Sequence, residues 1–68
     1  MEKVLFEYRG SNFELFESKD LFGCEVIVIY ENENLVGTVE MLHSNELYIV
    51  AQRILSGKYS YQELGVYA

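Results

Sequence analysis

Proline and tryptophan are absent from this chain, and cysteine and histidine occur once each, as Cys24 and His43. A single cysteine rules out an intrachain disulfide, and one Cys with one His cannot supply the four ligands of a structural zinc site. With no proline, repeat or low-complexity tract, no linker divides the 68 residues, and residues 1–68 are read as one small domain. No apolar run approaches the ~20 residues that span a bilayer, and Met1-Glu2-Lys3-Val4 lacks the basic flank and apolar core of a signal peptide. Neither a membrane nor a secretory route is therefore expected. The expected compartment is the cytoplasm, in keeping with an unpaired cysteine.

Basic residues are also scarce: five Lys and Arg stand against eleven Asp and Glu, a net charge of −6. Ten of the acids lie between Glu2 and Glu46, opposed there only by Lys3, Arg9 and Lys19. Such a surface repels phosphate backbones and anionic membranes at long range, so direct nucleic-acid binding is not expected, and a basic protein surface is the natural electrostatic partner. The five glycines form neither a G-x-G-x-x-G nor a Walker A loop, which leaves nucleotide cofactors without support. Glu31-Asn32-Glu33-Asn34 is too short for a calcium loop, which spreads its ligands over about 12 residues, and reads as a solvated turn. No metal or other cofactor is expected.

What is present is apolar and aromatic. Half the residues are hydrophobic and the six Tyr and four Phe are far more than a disordered chain carries, so the chain should fold. At this size a domain buries only roughly 60% of its unfolded surface, and stability is marginal unless self-association adds to it.

Alternation places Val4, Phe6 and Tyr8 on one face of a first strand. Arg9-Gly10-Ser11-Asn12 supplies a turn, and Phe13-Glu14-Leu15-Phe16-Glu17 returns with Phe13 and Leu15 inward. Leu21 and Phe22, bracketed by Ser18-Lys19-Asp20 and Gly23, are expected to plug one end of the core. Cys24 to Tyr30 contains four consecutive β-branched residues and reads as a third strand buried on both faces. Leu35 to Met41 is the fourth, with Leu35, Gly37, Val39 and Met41 sharing a face and Gly37 marking close approach of the helix that follows.

From Asn45 the period becomes 3.6. Leu47, Val50, Ala51, Ile54 and Leu55 form one stripe, Ser44 is the expected N-cap, Arg53 lies near the negative end of the dipole and Gly57 takes the C′ position. Ser60-Tyr61-Gln62-Glu63 is a capping box, with Tyr59 and Leu64 as its staple and Gly65 as the stop. The expected fold is α+β: a four-stranded antiparallel β-meander (ββββ), one packed α-helix and a short C-terminal helical turn. Apolar outer-face residues, Leu5, Phe16 and Val36 among them, suit a dimer interface or a more curled sheet.

Cys24 and His43 are the only possible nucleophile and base. They fall at matching ends of the third and fourth strands, but a working thiolate also needs an oxyanion-stabilising group and a cleft. The expectation is a buried cysteine, a surface histidine and no catalysis. The helix ending at Gly57 with Ser60-Tyr61-Gln62-Glu63-Leu64 has the opening of a helix-turn-helix, yet no recognition helix follows it up to Ala68 and the charge opposes DNA.

Two surfaces remain as interaction candidates. Tyr48, Tyr59, Tyr61 and Tyr67, with Arg53, are expected near one end of the molecule, where tyrosine gives contact area at low entropic cost. Glu31 and Glu33, if the strand continues there, would project to one side as a carboxylate ladder able to occupy a basic groove, even one that normally holds nucleic acid. Size, acidity and the lack of a catalytic set point to a small non-enzymatic regulator or inhibitor of a larger, basic protein. A self-associating subunit is the alternative.

Overall fold

The computed structural model describes residues 3–41 and 46–66. Strands β1 (Lys3–Tyr8), β2 (Ser11–Lys19), β3 (Glu25–Glu31) and β4 (Asn34–Glu40) pair antiparallel in the order β1-β2-β3-β4, and helices α1 (Leu47–Ser56) and α2 (Tyr61–Leu64) follow. The architecture is the α+β meander with a packed helix and a terminal helical turn that the periodicities predict. No helix among the described residues is long and apolar enough to cross a membrane.

Two of the three hairpin connections are as short as a hairpin allows. Tyr8 faces Ser11 across Arg9-Gly10, whose φ angles are 52° and 81°, and Glu31 faces Asn34 across Asn32-Glu33, at 51° and 69°. Positive φ at both central residues is the type I′ pattern, whose twist matches that of the strands. The first turn is thus tighter than the expected Arg9–Asn12 segment, and Ser11 and Asn12 already belong to β2. Asn32 ties the second turn to β2: its backbone N–H donates to Asn12 O at 2.8 Å, and its Oδ1 accepts from Asn12 N at 2.9 Å.

The inner face forms as alternation predicts. Leu15 faces Ile29 and Ile27 faces Val39 across the pairs, and all four are fully buried. Phe6 stacks on its partner Phe13 with ring centroids 5.2 Å apart. Helix α1 lies chiefly over β1 and β2 and adds Leu47, Val50, Ala51 and Ile54 to this core, while Leu64 of α2 closes it. Leu55, expected on the same stripe, is 44% exposed. At 100° per residue it sits about 80° around the helix from Leu47, outside the buried arc that runs from Val50 to Ala51.

Other expectations need correction. A register shift between Ile29 and Tyr30 leaves Val36 as an extra residue between Leu35, opposite Tyr30, and Gly37, opposite Ile29. The bulge reverses the alternation. Val36 packs against the core while Leu35 is 62% exposed, the opposite of their expected faces. Gly37 borders this bulge, and α1 lies chiefly over β1 and β2. On the outer face of β3, Val26 is buried but Val28 and Tyr30 are only half-buried, so that strand is not fully enclosed. The N-cap of α1 is Glu46, extended and without a side-chain cap bond; Ser44 and Asn45 lie outside the described residues.

Leu21 and Phe22 do not plug the core: they are 100% and 91% exposed. Cys24 is likewise exposed, and precedes β3 instead of opening it. The glycine-stop and capping-box signals are met. Gly57 caps α1 in the left-handed conformation, and Ser60 and Glu63 form the capping box.

Replacing Ile29 with Ala should cost about 2–5 kcal/mol, a large share of the stability of so small a domain. Leu55→Ala, on the exposed edge of α1, should stay within about 0.5 kcal/mol. Urea denaturation followed by circular dichroism checks both, and equal effects would contradict the core assignment.

Candidate interaction site

The meander and α1 together decide what meets at each end of the molecule. Strand β4 runs away from the β1–β2 and β3–β4 turns, and α1 returns toward them, so the segment after Gly57 arrives beside Tyr8, Arg9 and Glu31. There it encloses a cleft of about 430 Å³. Phe13, Ile54 and Leu64 give it an apolar lining, Tyr8, Tyr59 and Tyr61 contribute rings, and Arg9, Ser11, Glu31 and Ser60 supply polar groups.

Each wall is fixed by an identifiable contact. The Tyr61 hydroxyl donates to Glu31 Oε1 at 2.8 Å and so ties α2 to the end of β3. Burial first, then the hydrogen bond to the Glu31 carboxylate and its charge, push the Tyr61 phenol from 10.0 up to about 12. Tyr61 is therefore a protonated strut across the neutral range. On the opposite wall the Arg9 guanidinium lies 5.2 Å from the centroid of the Tyr8 ring, a cation–π geometry. The Tyr8 hydroxyl occupies the space beside Gly57, where an added Cβ would collide with it.

The sequence-derived candidates divide between several places. Tyr59, 47% exposed, joins Tyr61 and Glu31 at the cleft. Tyr48, 65% exposed, lies in the first turn of α1, so the length of that helix, about 15 Å, separates it from the cleft. Arg53 is half-buried in the last turn of α1. Glu33 sits in the β3–β4 turn, beside a second depression with Leu5 and Glu14. Because β3 ends at Glu31 and Glu31 is engaged by Tyr61, no ladder of Glu31 and Glu33 exists. Tyr67 and His43 lie outside the described residues. Tyr8 and Arg9 were not singled out in the sequence, although counting strand directions through the meander places their turn at the arriving end of α1.

At the opposite end of the β2–β3 hairpin, Asp20 organises the loop to Cys24. Its Oδ1 accepts from the backbone of Phe22 and of Cys24, each at 2.9 Å, its own N–H donates to Cys24 O at 2.9 Å, and its carbonyl accepts from Gly23 at 3.1 Å. Gly23, at φ 80°, completes the bend. The result is a hydrogen-bonded tip that holds Leu21 and Phe22 side by side in solvent, flanked by Glu17, Lys19 and Glu25.

Among the described residues no group of three or more His, Cys, Asp or Glu is placed to hold a metal ion. No protein-family model matches this chain, and no curated protein or solved structure shows detectable similarity to it.

Since the folded Tyr61 value lies above the unfolded 10.0, its contribution to stability is complete below pH 10 and is lost as pH rises through about 12. An absorbance titration of the phenolates should show one tyrosine ionising near pH 12, absent in Tyr61→Phe and shifted down, short of 10, in Glu31→Gln. Gly57→Ala combines positive φ with the Tyr8 collision and should destabilise by about 1–3 kcal/mol in thermal melts. A neutral effect there would mean that the Tyr8 wall is not held against the α1 terminus.

Proposed function

We propose that this chain is a non-enzymatic protein-binding module, a small regulator or inhibitor of a larger partner, with the tyrosine-lined cleft as its docking end. The observation that carries the reading is Tyr59, a half-exposed ring at a concave site whose other walls are pinned by the Tyr61–Glu31 hydrogen bond and the Ser60–Glu63 capping box. An amphipathic ring on a preorganised frame loses little entropy on binding, which is the usual character of an interface anchor. The net charge of −6 adds long-range attraction for a basic partner and speeds encounter more than it adds affinity. A non-catalytic role is supported by the separation of the chain's one thiol from the cleft: Cys24 is at the far end of the β2–β3 hairpin. The exposed thiol also suits the cytoplasm as the proposed compartment.

A second reading is a self-associating subunit. It is favoured by the outer face of the sheet, where Leu5, 69% exposed, and Leu35, 62% exposed, flank Glu14 and Tyr30 in one row across the four strands.

Affinity capture from the native host should recover a stoichiometric protein, with binding weakened at least ~10-fold by Tyr59→Ala and reduced by salt, while Tyr48→Ala, a helix length away, leaves it intact. Recovery of nothing but the chain itself would overturn the regulator reading in favour of self-association. Equal capture by Tyr59→Ala would remove the cleft from it.

A further inference from the structure

We propose that two copies of this chain pair through the free edge of β1, antiparallel and about a two-fold axis at Leu5. Their meanders then join in one eight-stranded sheet, with the two α1 helices side by side upon it. This interface goes beyond the docking cleft and uses no residue that lines it.

Strands β1 and β4 are the two edges of the sheet, and they differ. The bulge at Val36 interrupts β4, a common guard against edge-to-edge pairing, whereas β1 is regular from Lys3 to Tyr8. Asn12 bonds Asn32 through both its N–H and its C=O, so its backbone faces β3, and that of Ser11, next to it, faces Tyr8 across the turn. Alternation then directs the N–H and C=O groups of Tyr8, Phe6 and Val4 to β2, and those of Glu7, Leu5 and Lys3 to the open edge. Among the described residues no backbone bond outside the sheet engages β1.

The helix leaves the same side uncovered. It runs in the direction of β1 and ends where Gly57 meets the Tyr8 hydroxyl. Seen from the helix with β1 pointing up, Val4, Phe6 and Tyr8 face the viewer, and the handedness of L-residues puts β2, to which they bond, on the right. A right-handed helix running upward carries Leu55 and Tyr48 round to the left, over the free edge. Burial follows this asymmetry: Val50, on the right flank, is 1% exposed, whereas Leu55 is 44% and Tyr48 65% exposed. Leu5, on the other face of the sheet, is 69% exposed beside the same edge. Three large apolar side chains thus surround one row of outward-pointing backbone groups.

The sequence of β1 selects a second copy as the occupant. Paired strands keep their side chains on matching faces. With Leu5 opposite its own counterpart, Lys3 falls opposite Glu7 of the second copy and Glu7 opposite its Lys3, so the strand is complementary to itself. Centring the pair on Phe6 would set Lys3 against Arg9, and centring it on Val4 would set Lys3 against Leu5. Lys3 also reaches its own Glu14 on β2 at 3.0 Å, and in the pair it lies between that carboxylate and Glu7 of the second copy. Above the edge, the flank of α1 formed by Tyr48, Gln52 and Leu55 carries no charge, so two acidic chains can approach there. The seat of α1 over β1 and β2 sets the two helix axes about 10 Å apart, two strand spacings, which is a distance at which helices pack.

The test is sedimentation equilibrium of the purified full chain from about 10 µM to 1 mM, a range that brackets weak association. The expected mass rises from 7.9 kDa to twice that value and no further, because a two-fold contact closes on itself. Lys3→Glu and Glu7→Lys each set like charges opposite one another twice per dimer, and each should weaken dimerisation at least ~10-fold. Mixed one to one, the two variants should recover the dimer, since every acid at the edge then faces a lysine of the other variant. Both changes in one chain should likewise restore the homodimer. Circular dichroism checks that each variant is folded. Tyr59→Ala should dimerise as wild type does, which keeps loss of partner capture at the cleft distinct from loss of this pairing.

Wild-type protein monomeric throughout, or a mass that climbs past the dimer, would overturn the proposal. So would dimerisation unchanged by the two single charge reversals, or weakened by them without recovery in the mixture and the double variant. A dimer abolished by Leu35→Ser, on the far side of the outer sheet face, would overturn it in favour of that face.

Discussion

The register of the β2–β3 pair is the constraint on which the rest of this molecule depends. Leu15 opposite Ile29 puts two fully buried side chains at the centre of the inner face, and α1 closes over that face. A slip of one residue would turn the whole set of one strand to the outside. The same register brings Phe13 opposite Glu31 at one end and Lys19 opposite Glu25 at the other. It thereby places Glu31 where Tyr61 can reach it and closes the far loop on Asp20. Polar contacts at both ends hold the register: Asn12 with Asn32, and Asp20 with the backbone of Phe22 and Cys24. Core, cleft and far loop thus share one alignment.

The features legible in the sequence were those whose cause is local. Alternation in Val4–Tyr8 and Phe13–Leu15, the stripe from Leu47 to Ile54, the Gly57 stop and the Ser60–Glu63 box each carry their cause within a few residues, and each formed where it was read. The errors arose where a distant or cooperative effect takes over. A single inserted residue, Val36, shifts the phase of β4, so strict alternation assigns both Leu35 and Val36 to the wrong faces. Hydrophobicity alone assigns Leu21 and Phe22 to the core, whereas Asp20 just before them bonds the backbone two and four positions on and holds the loop out in solvent.

The candidate site was half legible for a related reason. The sequence marks Tyr59, Tyr61 and Glu31 as members of two separate surfaces, and only the fold joins Tyr61 to Glu31. Tyr48 was grouped with Tyr59 by composition, whereas the length of α1 keeps them apart. Arg9 and Tyr8 carried no signal as a pair; they matter because a hairpin turn happens to lie where α1 ends.

The wall of the cleft formed by α2 differs in kind from the rest. Four helical residues cannot sustain a helix on their own, since nucleation costs more than one turn returns. This turn persists because the capping box satisfies its first donors, Leu64 is buried in the core and Tyr61 is bonded to Glu31. None of these ties is a ladder shared with the sheet, so it is the three together that hold the α2 wall in place. A ligand seated against Tyr59 and Tyr61 meets a surface that exists only while those ties hold. The docking role proposed for the cleft therefore depends on the Tyr61–Glu31 bond as well as on Tyr59, because that bond fixes the wall against which an occupant would rest.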